Sequence, residues 1–454
     1  MTSASQSSVI NKTSGFISTY PLTPIGSTES ILFEESQNNK LKNYVENSTV
    51  KNFLYNKLIQ LNPEYDECSP FYICDIGEIK RQLKLWKSEL NFIQPYYAVK
   101  CNPNPDFVKM LIQIGNIGFD CASQNEIKTV FKAHQDLGLN INTENLIYAN
   151  PIKPIYQLKF ANSLNVNLTT IDSIEEIEKI YKFTDGNMNV LIRITTDDSS
   201  ATCPLSIKFG SDVKYSKKIV DKCIELGINI RGIAFHCGSG FKDSKTIIKA
   251  VKDSRDVWNY INKNQFNKCD ILDVGGGFSK ENFIYPAKIL NNEIQKFYGN
   301  ELLNNNIKII SELGRFLSAS CFTLAVNVIG VRKEIDSNKT RVYLNDGLYG
   351  NLNCILFDHQ EVEPKVLTSY GKYVYNDNIN NSNSNNNNEM NQYSIWGPTC
   401  DGLDCIKAKT TLSHDVKTGD WIGFENAGAY TNAAATNFNG FTNEFECTFI
   451  DTDI

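Results

Sequence analysis

The sequence contains no apolar run near the ~18 residues that a membrane-crossing helix needs. It also has little net charge. Its 45 Lys and Arg against 51 Asp and Glu leave −6, so the chain has no general attraction for nucleic acid or anionic lipid. Histidine is scarce, at four residues, and the absence of paired ligand spacing argues against a zinc site. The 13 cysteines form no C-x-x-C repeat. In a long unsecreted chain this odd set reads as reduced thiols. The stretch Met1 to Ser27 lacks the basic start and apolar core of a signal peptide, and Lys12 is its only cation. Residues 1–29 therefore read as a Ser/Thr-rich disordered leader on a cytoplasmic protein.

The 454 residues suit two sizeable domains, and 41% hydrophobic with 21% charged residues is an ordinary soluble balance. Between about residues 70 and 320, short β-branched and aromatic runs alternate with amphipathic stretches. The runs are PYYAVK (95–100), IGFDCA (117–122), LIYAN (146–150), LTTID (168–172), VLIRI (190–194), IAFHCGS (233–239), ILDVGG (271–276) and IKIISE (307–312). Helical spacing appears over Asp106–Ile114, after Ser173 as a cap, over Ser216–Leu226 and over Thr246–Ile261. Eight such units predict an α/β domain, a (β/α)8 TIM barrel over 71–321. A doubly wound open sheet would not need eight. Residues 30–70 and 322–454 alternate instead, as in FTLAVNVIGV (322–331) and TRVYLND (340–346). They predict a second, all-β domain, antiparallel and built from both chain ends. Within it the Asn-rich tract 376–392 reads as a disordered surface loop.

The predicted strands end at Lys100, Asp120, Asn150, Asp172, Arg193, His236, Gly275 and Glu312. In such barrels these ends form the active site. Taken singly, each is an exposed residue after a strand, and Lys100 is a surface lysine covering apolar neighbours. Held at a strand end and partly desolvated, however, Lys100 can lose its proton and attack a carbonyl to form a Schiff base. Gly275, Gly276 and Gly277 follow the seventh strand, and Gly314-Arg315 follows the eighth. The loops after these two strands are the usual phosphate site, where glycines admit an anion to the backbone and arginine adds charge. Glu312 can keep a pyridine nitrogen protonated. His236 can stack on a flat ring, with Asp120 and Glu126 orienting its neighbours. The bland alternative for His236 is a satisfied core histidine.

YAVKCN (97–102), FDCAS (119–123), RITTDDS (193–199), KFG (208–210), FHCGSG (235–240), DVGGGF (273–278), SELGR (311–315), NDGLYG (345–350), WGPTCDGLD (396–404), ENAGAY (425–430) and FNGF (438–441) together resemble the eukaryotic ornithine decarboxylases. These are fold type III enzymes with an alanine-racemase-like barrel and a β-domain. The resemblance covers about residues 30 to 445. It implies pyridoxal phosphate held by Lys100, with Glu312 at the pyridine nitrogen and His236 on the ring. Asp120, Glu126 and Arg193 resemble the supporting shell. Ser239, Gly275 to Gly277, Gly314, Arg315 and Tyr430 resemble the phosphate cradle. Cys400 resembles the residue that returns a proton to the α-carbon. Asp358 and Asp401 resemble the carboxylates that hold the substrate's distal amine, with Phe357 and Phe438 near that pocket.

Two departures stand out. Phe357 occupies a place where many relatives have tyrosine, and Leu313 replaces a common proline. The chain also stops soon after FNGF, without the degradation-promoting tail of vertebrate relatives. The implied function is decarboxylation of L-ornithine to putrescine, the first step of polyamine biosynthesis. The implied assembly is a homodimer with shared active sites, with antizyme a candidate partner. The alternatives are a catalytically inactive regulator like the antizyme inhibitors, or a decarboxylase of lysine, arginine or diaminopimelate. The intact set Lys100, Asp120, His236, Glu312, Cys400 and Asp401 argues against the first, and the acids Asp358 and Asp401 argue against diaminopimelate.

Overall fold

Eight parallel strands close into a barrel: β1 (Ile93–Ala98), β2 (Gly118–Cys121), β3 (Leu146–Tyr148), β4 (Leu168–Ile171), β5 (Asn189–Arg193), β6 (Ile230–Ala234), β7 (Ile271–Asp273) and β8 (Lys308–Leu313). Each pairs with the next, and β8 returns to β1 with Glu312 opposite Tyr96. These are the eight runs that the sequence marks out. They read as continuous apolar stretches because one face meets the barrel interior and the other the helices. Tyr96, Ile147, Leu168, Leu191, Ile271 and Ile310 fill the interior. The computed structural model describes residues 44–45, 48–265, 268–335, 338–375, 391–441 and 445–453.

The helices start where side chains can accept their first N–H groups. Ser123 Oγ accepts from Glu126 N–H ahead of helix Gln124–Asp136. Ser173 Oγ does the same for Glu176 ahead of helix Ile174–Thr184. The helix expected from Ser216 begins earlier, at Val213, because Asp212 caps it through Tyr215 N–H. Ser216 is buried within it.

The second domain is a nine-stranded sheet. Its centre is Phe322–Lys333, which pairs antiparallel with Phe71–Asp75, Lys339–Leu344 and Trp421–Phe424. Four expectations need correction here. The sheet is mixed, not antiparallel throughout: Glu446–Ile450 runs parallel to Phe71–Asp75, and Lys339–Leu344 parallel to Gln392–Trp396. The segment Phe71–Asp75 belongs to this sheet, so the expected boundary at 71 falls before a sheet strand and not before a barrel strand. Residues Val50–Leu58 form a helix capped by Thr49, where alternation suggested strand. Gln392, placed at the end of the Asn-rich loop, instead opens a strand opposite Lys339. The expected leader 1–29 and residues 376–390 of that loop lie outside the described residues.

Apolar packing runs without a break from barrel to sheet. Phe107 meets Phe322 at 5.1 Å between ring centroids, and Tyr72 meets Phe322 at 5.9 Å. All 13 cysteines are free thiols. No described helix is long and apolar enough to cross a membrane.

Leu324 is fully buried between two neighbouring strands. Leu324→Ala removes buried methyl groups and leaves a cavity, so it should lower the unfolding free energy by ~2–5 kcal/mol in urea titration.

Candidate active site

A cavity of about 540 Å³ opens at the C-terminal ends of the barrel strands. Lys100, Arg193, His236, Glu312, Arg315, Asp358 and Tyr430 line it, together with Ser239, Gly277, Gly314 and Phe357. Lys100 stands in a short 3-10 turn, Val99–Cys101, directly after β1. Its Nζ lies 3.2 Å from Asp120 Oδ2, on the neighbouring strand β2. The Lys100 side chain is 42% exposed into the cavity; its partial desolvation favours losing the proton, but Asp120, Glu312 and Tyr430 outweigh that and hold the pKa above the usual lysine range. Burial pushes Asp120 up to about 7, with Lys100 opposing and Glu312 adding to the rise. The other oxygen of Asp120, Oδ1, is buried without a partner.

Glu126 stands behind this pair. Its carboxylate accepts the Ala122 N–H at 2.7 Å, and its own N–H donates to the cap Ser123 Oγ at 3.3 Å. Burial raises its pKa, and the Ala122 hydrogen bond works against that rise. His236 follows β6, and its Nδ1 accepts the Gly238 N–H at 3.0 Å. Burial, then Arg193 and Lys100, hold its pKa well below 6.5, so the ring is neutral with its proton on Nε2. Arg193 ends β5 with its guanidinium 5.4 Å from the Phe209 ring centroid.

The glycine turn is a built cradle. Gly275 and Gly277 have φ of +66° and +98°, and a Cβ on any of the three glycines would fall within 2.3 Å of a carbonyl oxygen. Asp273, just before them, is buried against Glu312. Burial first, then the Glu312 charge, raises its pKa well above the carboxylate range; its Oδ1 accepts the Gly275 N–H at 2.8 Å, and its Oδ2 is buried without a partner. Sequence reading missed this residue, although it opens the DVGGGF motif. It also missed Lys153. That side chain is fully buried, donates to the carbonyls of Asn150 and Thr170 at 2.9 Å each, and pairs with Glu176 at 3.1 Å. Burial brings Lys153 down to about 8 against the pull of Glu176. Nothing in YANPIK distinguishes it from an exposed lysine.

Cys400, Asp401 and Phe438 stand apart from this cavity. Cys400 is exposed, and its N–H reaches Asn439 Oδ1 at 2.9 Å. Asp401 accepts from the Tyr349 hydroxyl and from Leu403 N–H, and these two bonds lower its pKa. Tyr349 stacks on Phe438 at 4.5 Å. The three expected residues thus gather, with Tyr349, into a second cluster on the sheet domain.

Residues 76–319 match the model of the pyridoxal binding domain of pyridoxal-dependent decarboxylases. The chain is 41% identical over 401 residues to an ornithine decarboxylase of Saccharomyces cerevisiae, covering 86% of this chain and 84% of that protein. The chain belongs to the ornithine decarboxylase family. Another relative is antizyme inhibitor 2 of Xenopus laevis, 35% identical over 88% of this chain and 85% of that one. Among solved structures, the arginine decarboxylase of Paramecium bursaria Chlorella virus bound to agmatine superposes with a TM-score of 0.75. It is 29% identical and covers 87% of this chain and 99% of that one.

The family's cofactor is pyridoxal phosphate, and the residues present fit it. The glycine cradle admits an anion to the backbone, Arg315 adds positive charge, and Lys100 and Glu312 line the same cavity.

The state of His236 can be measured. Its ring proton resonances should not titrate between about pH 8 and 6, because burial penalises the cation. The unfolded chain takes up a proton near 6.5 that the folded ring refuses, so this histidine's contribution to stability is lost as pH falls through that value.

Proposed function

We propose that the chain is an active decarboxylase that converts L-ornithine to putrescine and carbon dioxide, opening polyamine biosynthesis. The observation that carries this reading is Lys100, held 3.2 Å from Asp120, in a cavity that His236, Glu312 and Gly277 also line. A regulator of the antizyme-inhibitor kind has no need of that set.

When bound, pyridoxal phosphate supplies a ring that takes up the electron pair left as carbon dioxide departs. The chain's own residues do the remaining work. Lys100, just after β1, would be the residue that holds the cofactor through its amine. Asp120 keeps the released ammonium of Lys100 close by. Asp273 supports Glu312, which keeps the pyridine nitrogen protonated. His236, a neutral imidazole in the same cavity, would sit beside the cofactor without adding a competing charge. Glu126 and Arg193 brace the shell around it. Ser239, the cradle of Gly275 to Gly277, Gly314, Arg315 and Tyr430 hold the phosphate. Cys400 returns the proton to the α-carbon.

Asp358 and Asp401 recognise the distal ammonium, with Phe357 and Phe438 flanking it. Two carboxylates suit a cationic end group and repel the distal carboxylate of diaminopimelate. Because Cys400 and Asp401 lie outside the cavity of their own barrel, we place them in the cavity of a second copy. The active unit is then a two-fold homodimer with two shared sites.

With pyridoxal phosphate present, purified protein should release carbon dioxide from L-ornithine at a higher kcat/KM than from lysine, arginine or diaminopimelate. Asp401→Ala should lower kcat/KM for ornithine by roughly 10- to 150-fold, the worth of one charge-assisted hydrogen bond of ~1.5–3 kcal/mol. Bound-cofactor absorbance should survive that change.

The shared site has its own test. Lys100→Ala and Cys400→Ala should each be nearly inactive. Mixed under free subunit exchange, they should recover about a quarter of wild-type activity, since half the dimers regain one of two sites. Confirmed exchange with no recovery would place the whole site within one chain.

A further inference from the structure

Arg315 and Asp358 both line the barrel cavity, and they are bonded to each other. The guanidinium Nη2 donates to Asp358 Oδ2, with the two side chains only 14% and 8% exposed. Arg315 follows β8 beside Gly314, whereas Asp358 comes from the sheet domain, just after the short helix Cys354–Phe357. The remaining Asp358 oxygen, Oδ1, has the Cys203 thiol 3.9 Å away. The Arg315 guanidinium also lies 5.3 Å over the Tyr430 ring. The cation assigned to the cofactor's phosphate and a carboxylate assigned to the substrate's ammonium are therefore spent on one another.

An ion pair this deep is hard to break on one side only, because the remaining charge would be left buried and uncompensated. An arriving phosphate meets a neutral pair in place of a free cation. To engage Arg315 fully it has to draw the guanidinium away from Asp358, and it also meets the carboxylate as a like charge.

We propose that Asp358 is the resident counter-ion of Arg315, so that it holds cofactor affinity down and is released to the substrate's distal ammonium when phosphate takes over the arginine. Phosphate binding then uncovers a carboxylate for a cationic amine. By linkage, an amine neutralising Asp358 returns Arg315 to the phosphate and tightens the cofactor. Asp358 is thus a positioning residue for the phosphate site as well as a specificity residue. This inference rests on the phosphate-cradle reading above.

The test uses full-length wild type and Asp358→Asn, each depleted of cofactor by dialysis. Three probes are titrated by absorbance or competition: pyridoxal phosphate, unphosphorylated pyridoxal and inorganic phosphate. Asp358→Asn should bind pyridoxal phosphate and inorganic phosphate about tenfold more tightly, equivalent to ~1.4 kcal/mol. Pyridoxal affinity should change by less than about twofold, since it has no group for Arg315. That arm also reports an intact cavity, and Asp358→Ala should behave alike if charge is the cause. Phosphate-type ligands bound equally or more weakly by both variants, with pyridoxal unaffected, would overturn the inference alone. Failure of inorganic phosphate to compete with the cofactor in wild type as well would overturn the cradle reading and this inference with it.

Discussion

The Lys100–Asp120 contact follows directly from barrel closure. β1 and β2 run parallel with Ala98 opposite Asp120, so a lysine two residues beyond Ala98 can reach back over the neighbouring strand's carboxylate. A buried charge survives only with a partner. Here the partner is supplied by strand register and needs no flexible loop. Glu126 and Glu312 crowd the same space, and Asp120 rises toward neutrality even beside a lysine. The mouth of the barrel therefore crowds several acids around one cation, Lys100.

The sheet domain serves this arrangement in two ways. It buttresses the mouth: Tyr430 N–H donates to Cys101 O at 2.8 Å, and Asn102 Nδ2 donates to Gly428 O at 3.1 Å, fixing the chain just after Lys100. It also supplies Asp358 to the cavity, while Asp401, Tyr349 and Phe438 form a separate polar-aromatic patch. One domain thus lends a carboxylate to the cavity of its own barrel and carries a patch that stands apart from it.

Much of this was legible in the sequence. The eight runs stood out because strands buried on both faces leave little choice of residue type. Lys100, His236, Glu312 and the glycine turn each follow or end a strand, where position alone suggests a role. The parallel pairs of the sheet were not legible. An alternating pattern shows which face of a strand is buried and says nothing of the direction of its neighbour. The helix Val50–Leu58 was legible and overlooked: Val50, Phe53, Leu54 and Leu58 stand at helical spacing behind the Thr49 cap. Asp273 and Lys153 were missed because their roles depend on burial against residues far away in sequence, Glu312 for one and the Thr170 carbonyl for the other.

The distribution of thiols has a chemical consequence. Eight of the cysteines are buried and four half-buried, and where a shift is resolved burial raises the pKa and suppresses the nucleophilic thiolate. Cys400 alone is exposed. Peroxide or an alkylating reagent will therefore meet position 400 first, and oxidation there to a sulfenic acid leaves barrel and sheet packing untouched. Ageing of this protein in air would therefore erode the proposed proton donor while the fold still stands.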